Sequence, residues 1–418
     1  MKCLVIDRPY MGIGGIENIQ IQLLKYCIDQ GYRVIWLTTK EHEKSSAYKK
    51  ITDAPEVEKH YLKRTPFGPI YPSLKFADDE DAVVLTTDLL RYCISQHVMK
   101  DWQCHTVSHL LTIPHFKGGA VLPETCLRSG RTRERWRLRL SNAAKWIDRT
   151  GNLIGFSDIH LTAYEKEYGI NVANKQSKVL KDIFPLDAPA DEIIEKKAKS
   201  RRDKFNIITC ARFDFPHKGY MLGLIKAFSD IYERHPEARL FIVGYGQGEK
   251  QVKDALSRLP EPARSQVVLT GPLSPEQLKT KMLSCHLNVG VAGSLWRGAE
   301  CALPSICMRH YTYECEGYGF IDDVGDIMSD SAGFNVVPLI ENVIKMDDSA
   351  YIEKSIKSFN AAQSQIDVDP EFVFKLPATN LDTFPLSELE ARGMFFQRLL
   401  LERICKRSMY EDQLNASK

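Results

Sequence analysis

No window of this 418-residue chain reaches the roughly 18 uninterrupted apolar residues of a membrane-spanning helix, so a spanning segment is not expected. An excess of one charge is also missing. The 56 Lys and Arg against 54 Asp and Glu leave a formal net charge of +2, so any affinity for nucleic acid or a membrane surface has to come from a local patch. The eleven cysteines are scattered and none forms a Cys-x2-Cys pair. Cys301, Cys307 and Cys315 lie near one another without zinc-finger spacing or paired histidines, which points to reduced thiols in a cytoplasmic protein. The amino terminus, MKCLVIDRPYMGIGG, is too short in apolar length and too soon charged for a signal peptide. Low-complexity tracts and short repeats are lacking as well. What is present, 44% hydrophobic and 26% charged residues, is ordinary for a globular protein, and the length favours two domains over one core.

Four segments between Phe205 and Ile306 carry the strongest pattern: NIITCARFDFPHKGYMLGLIKAF, RLFIVGYGQGE, QVVLTGPLSPEQL and VGVAGSLWRGAECALPSI. Each begins as a short apolar run and breaks into a Gly/Pro loop, and in three of them a helical pattern resumes. The first half has the same rhythm. Lys2 to Asp7 reads as a buried strand, PYMGIGGIE as a loop, about Asn18 to Gln30 as a helix with Ile19, Leu23 and Leu24 on one face, and YRVIWLTT as the next strand. DAVVLTT, a segment around CHTVSHLLTI and NLIGFSDIHLTAYEKEYGI continue the series. The charged, apolar-poor stretch DAPADEIIEKKAKSRRDK reads as a solvated linker, which sets a boundary near residue 190. After Ile306 the pattern weakens, until LSELEARGMFFQRLLLERICKRS places Leu389, Phe395, Phe396, Leu399, Leu400 and Ile404 at helical spacing.

In a parallel sheet such loops emerge at one carboxyl edge, so Arg212, Lys218, Gly244, Gly271, Ser294 and Glu300 are expected to converge. Arg212 and Lys218, six positions apart, could hold a pyrophosphate and neutralise a departing leaving group, assisted by the positive end of the helix starting near Gly219. Two solvated loop cations would give the same sequence. Glu300 is read as opening a short helix and accepting two ribose hydroxyls, or else as an acid that favours the helix start. The loop GIGGIE fails as a dinucleotide fingerprint: Glu17 stands where the last glycine would be, and WLTTK lacks the expected acid. Gly14 and Gly15 could still offer backbone N–H groups to phosphate. His109, with His105 and His115 as rivals, is placed at a strand end facing the same crevice, though an isolated histidine is commonly structural. Arg128, Arg131, Arg133, Arg135, Arg137 and Arg139 cluster around Trp136, which suits anionic lipid headgroups, a pyrophosphate-linked acceptor or a solvated helix face; no motif supports nucleic acid.

These landmarks resemble the GT-B glycosyltransferases, and most resemble the retaining group called glycosyltransferase family 4, over most of residues 1–310 and the final helix. ARFDFPHKG is similar to the family's basic phosphate motif, FIVGYGQGE and VVLTGPLSPEQL to its next two landmarks, and GGIE to its first glycine loop. The resemblance implies an α/β fold of two Rossmann-like domains facing a central cleft. The acceptor-side domain would span 1–190, the nucleotide-sugar domain 191–384, and 385–418 would form a helix returning to the first domain. It also implies no metal or resident cofactor, with a nucleotide diphosphate sugar as co-substrate. Arg212, Lys218 and His109 become the catalytic group. Gly14, Gly15, Gly244, Gly271, Gly293, Ser294 and Glu300 become the donor-binding group.

One departure stands out. The family carries two glutamates eight positions apart, and only the second has a match, in Glu300; Ala292 holds the first place. Glu316 in ECEGYGF imitates the missing motif but follows LPSI, in the wrong order, and is read as an insertion residue. Gly293 and Ser294 could supply sugar contacts instead. The resemblance thus implies a retaining hexosyltransferase of surface polysaccharide, lipopolysaccharide or other lipid-linked glycan synthesis, peripheral at the inner membrane face through the 128–139 arginines. A non-catalytic sugar-nucleotide or glycan-binding relative is the alternative. A nicotinamide-dependent oxidoreductase is disfavoured by the broken fingerprint.

Overall fold

The computed structural model describes residues 1–9, 11, 15–44, 49–99, 102, 106–112, 130–155, 161–162, 164–165, 168–179, 186–324, 332–366, 370–375, 384, 386–397 and 399. The chain divides into two compact units, Met1–Ile183 with Asp367–Lys418, and Phe184–Ile366.

Among the described residues the main sheet of unit 1 has six strands: β1 (Lys2–Asp7), β2 (Arg33–Thr38), β3 (Val57–Tyr61), β4 (Asp81–Thr86), β5 (Thr106–Thr112) and β6 (Leu153–Ile154). They run parallel in the order β3-β2-β1-β4-β5-β6. Near-continuous apolar runs such as CLVI and VIWL suit strands covered on both faces, and these residues are buried. Helix α1 (Gly15–Asp29) buries Ile19, Leu23 and Leu24. It ends as a glycine-capped helix should: Gly31 is left-handed at φ 69°, its N–H donates to Ile28 O at 2.9 Å, and the Tyr32 N–H donates to Cys27 O at 2.8 Å. Helix α2 (Leu89–Val98) starts on Asp88, whose carboxylate accepts from the Arg91 N–H at 2.9 Å. Helix α3 (Gly130–Arg149) adds Leu140, Ala143, Ala144 and Ile147 to the core.

Chain beyond residue 366 rejoins this unit. Glu371 accepts from Tyr26 Oη at 2.9 Å and Tyr32 Oη at 2.8 Å and is ion-paired with Lys2, whose ammonium also lies over the Tyr32 and Phe374 rings. Ala391 and Met394, from the helical residues 388–397, are buried in the core, and Phe396 stacks on Phe67 at 4.8 Å. Leu389, expected on the apolar face, is instead 82% exposed.

Among the described residues unit 2 carries seven strands: β7 (Phe205–Cys210), β8 (Ala238–Val243), β9 (Val267–Gly271), β10 (Leu287–Gly290), β11 (Ser305–Met308), β12 (Glu316–Phe320) and β13 (Phe334–Asn335). Their order is β9-β8-β7-β10-β11-β12-β13, parallel through β11 and antiparallel beyond. The stretch expected to be a solvated linker is in fact helix α4 (Asp191–Ser200), which buries Ile194, Lys197 and Ala198. Two cations, Lys197 within the helix and Arg201 just after it, are buried because each meets the carbonyl end of another helix. Lys197 Nζ donates to Met282 O at 3.0 Å and Cys285 O at 2.5 Å, at the end of α7 (Pro275–Leu283). Arg201 donates to Ile344 O at 3.0 Å and to Met346 O, at the end of α9 (Val337–Lys345). Burial pushes the Lys197 ammonium down to about 8. A last helix, α10 (Asp348–Ser364), lies where the sequence pattern had faded.

Candidate functional site

In unit 2 the parallel register aligns Cys210 with Val243 and Val243 with Gly271, so the loops after β7, β8 and β9 leave the sheet at one carboxyl edge. The first of these loops carries Arg212 and Lys218 and feeds helix α5 (Tyr220–Arg234). Arg212 is exposed, Lys218 is half-buried, and among the described residues neither forms an ion pair. They are close enough to repel: dehydration first, and then the Arg212 guanidinium, push the Lys218 ammonium down to about 7, with Asp214 opposing. The same surroundings, burial above all, hold the Cys210 thiol up at about 12, although Lys218 pulls it the other way. Two like charges near one another on the loop that feeds a helix, with no ion pair of their own among the described residues, suit an anion site.

The glycines of the second loop, which leads into α6 (Glu249–Ser257), have a definite role here. A Cβ at Gly244 would collide with the Ala211 carbonyl, and one at Gly248 would collide with the Phe215 ring. The loop of Arg212 therefore lies directly on the loop of Gly244. Ala211 N–H donates to Val243 O at 3.1 Å, Phe213 N–H to Tyr245 O at 2.8 Å, and Gly248 N–H to Phe213 O at 2.9 Å, while the Phe213 side chain is buried. Gly271 is left-handed at φ 70° and its carbonyl accepts from the Gly244 N–H at 3.1 Å. The absence of a side chain at Gly244 thus positions Arg212, a role that the sequence suggested only as ligand contact.

Glu300 needs correction. It ends helix α8 (Gly293–Glu300) and does not open it, because the run GSLWRGA is itself the helix and not a loop. A carboxylate at a helix end opposes the macrodipole, and it is compensated by Lys279 at 3.0 Å and Arg297 at 2.9 Å. Its hydrogen bond to Glu300 is the main cause that raises the Lys279 ammonium. Each cation occupies one oxygen, which leaves each oxygen a further lone pair for a hydroxyl donor. Arg212 and Lys218 are not among its ion-pair partners.

Ser294 is also committed internally. Its hydroxyl donates to Val291 O at 2.8 Å and accepts from the Val291 N–H at 3.0 Å, closing the turn from β10 into α8. Ala292, just before Gly293, sits at φ 48°, ψ −134°, where L-residues are strained. At Gly293 a Cβ would meet only Trp296, at 3.8 Å, so no protein contact demands glycine there. Glu316 lies on β12 and pairs with Arg309 at 2.9 Å.

In unit 1, His109 falls in the middle of β5, paired with Val84, and not at a strand end, because the apolar residues after it extend the ladder to Thr112. Gly15 opens α1, and Gly14, Arg128, His105 and His115 lie outside the described residues; the side chains of Arg131, Arg133, Arg135, Arg137 and Arg139 do as well. Glu17, where a fingerprint would have glycine, is buried and ion-paired with Arg8 at 2.6 Å. Sequence inspection missed the buried Asp7 carboxylate at the end of β1, which accepts from Tyr71 Oη at 2.6 Å and pairs with Arg91. An acid ending an apolar strand was the available signal. Among the described residues no three His, Cys, Asp or Glu side chains are grouped as a metal would need, and no helix is long and apolar enough to cross a membrane.

The fold is that of the GT-B glycosyltransferases. A glycosyltransferase of Rickettsia africae has 12% sequence identity and a TM-score of 0.54 over 97% of this chain and 98% of its own. WaaG, a glycosyltransferase involved in lipopolysaccharide biosynthesis, has 14% identity and a TM-score of 0.51 over 92% and 100%. The pneumococcal O-GlcNAc transferase GtfA, solved with UDP and GlcNAc, has 11% identity and a TM-score of 0.53 over 90% and 97%. No family model and no curated protein sequence matches the chain.

Proposed function

We propose that the protein is a glycosyltransferase that moves a sugar from a nucleoside diphosphate sugar to an acceptor hydroxyl with retention of anomeric configuration. The observation that carries this reading is the Arg212–Lys218 pair, two cations on the loop leading into α5 that form no ion pair among the described residues. As the glycosidic bond to the diphosphate breaks, the leaving oxygen gains charge, and these cations neutralise it; the acceptor oxygen forms the new bond and its proton passes to the departing phosphate. Glu300 receives the ribose hydroxyls on its remaining lone pairs. The nucleotide held by the pneumococcal relative favours this donor class. The lipopolysaccharide role of WaaG favours a glycan or lipid-linked acceptor, met at a membrane surface through the 128–139 arginines.

Ala292, in the place of a glutamate, favours a second reading in which the fold binds a sugar nucleotide without transferring it. Thermal shift with UDP, GDP, ADP and CDP, followed by nucleotide release from the matching sugar donors with and without lipid-linked and polysaccharide acceptors, separates the two. Acceptor-stimulated release supports transfer. Binding without release supports the second reading, and no binding by any of the four overturns both.

A further inference from the structure

Residues 309–315, RHYTYEC, connect β11 to β12 and lie against the loop that carries both cations. The fit is close on the backbone level. A Cβ at Gly219 would strike the Thr312 carbonyl, and one at Gly223 would strike the backbone joining Glu314 to Cys315. Tyr311 N–H donates to His217 O at 3.2 Å. The His217 ring stacks on His310, with centroids 4.9 Å apart and planes 15° from parallel, and lies 5.0 Å from the Tyr311 ring. His310 is buried, and Tyr311 adopts a left-handed φ of 57°. The Tyr311 phenol is dehydrated and lies within the field of Asp214, in the same cation loop, and both effects raise it.

Lys218 therefore stands between two residues, His217 and Gly219, that both touch this segment. On its other side the loop is pinned by the 244–248 glycines. A pair of like charges separates unless packing restrains it, so the restraint belongs to the function of the pair. We propose that the 309–315 segment is a strap that sets Lys218 in place for a diphosphate, with His310 and Tyr311 as positioning residues acting through His217; this rests on the glycosyltransferase reading above. The strap supports the phosphate subsite, whereas Glu300 is held by Lys279 and Arg297.

The test compares the affinity for a nucleoside diphosphate with that for its parent nucleoside, measured by calorimetry with whichever of UDP, GDP, ADP and CDP binds the wild type. Tyr311→Gly removes the ring while suiting the left-handed backbone, and His310→Ala removes the stack. Each is expected to lower the diphosphate-to-nucleoside affinity ratio about tenfold, the scale of one charge-assisted contact, with nucleoside affinity unchanged. Tyr311→Phe and His310→Phe keep the flat rings and should retain the wild-type ratio. If His310→Ala does not fold, Tyr311→Gly decides. Folded Tyr311→Gly or His310→Ala protein with an unchanged ratio overturns the strap, as does a loss shared equally by the nucleoside. Failure of all four nucleotides to bind the wild type overturns the glycosyltransferase reading itself.

Discussion

Replacing Lys218 by methionine separates what its charge does for a ligand from what it does to the fold. The ammonium is pushed from its ordinary 10.5 down to about 7, by burial and by Arg212. Near pH 6 the folded protein carries that charge at a cost whose upper bound is about 5 kcal/mol, which water reaching the half-buried side chain reduces to about 2 kcal/mol. Between 7 and 10.5 the folded amine is neutral while the unfolded one still binds a proton, so the cost shrinks as pH rises through this window. Lys218→Met should therefore raise the melting midpoint by about 4–8 °C near pH 6 and by less than half of that near pH 9. Binding works in the opposite sense. A diphosphate arriving near pH 8 restores the ammonium, so wild-type protein should take up close to one proton per bound nucleotide sugar and none near pH 6. Titration calorimetry in buffers of different ionisation enthalpy reads that number directly, and the phosphodiesters of the donor do not titrate in this range. No uptake near pH 8, uptake that persists in Lys218→Met, or a midpoint lowered at both pH values would refute the assignment.

Arg212→Ala should reduce turnover by on the order of 10² to 10³, because the guanidinium acts on developing charge, while its exposed position leaves urea unfolding unchanged. Glu300→Gln is expected to weaken binding of a ribonucleoside diphosphate about tenfold and leave its 2′,3′-dideoxy analogue unaffected; equal effects on the two would reduce the carboxylate to a partner of Lys279 and Arg297. Gly244→Ala forces its methyl group into the Ala211 carbonyl and should cost about 1–3 kcal/mol in urea unfolding, together with a loss of diphosphate affinity.

The parallel strands were legible because buried strands need unbroken apolar runs, and segments such as FIVG and NIITC have no other reading. The carboxyl-edge loops, including the one that carries Arg212 and Lys218, followed from that order. Residues whose environment is set by distant chain were misread. Lys197 and Arg201 look like linker charges until the carbonyl ends of α7 and α9, 80 to 150 residues away, are placed against them. Glu300 was assigned to the wrong end of its helix because two glycines in GSLWRGA suggest a loop, whereas Gly298 is required there by the Asn288 side chain packed against it. The strap at 309–315 left no signal in the sequence, since stacking between His217 and His310 has no spacing to recognise.

The clasp of Glu371 on Lys2, Tyr26 and Tyr32 orders events during synthesis. Glu371 follows all of the second unit in sequence, so Lys2, Tyr26 and Tyr32 can gain this partner only after residues 184–366 have been made. A chain ending before residue 371 would contain all of the second unit yet lack the carboxylate that gathers Lys2, Tyr26 and Tyr32.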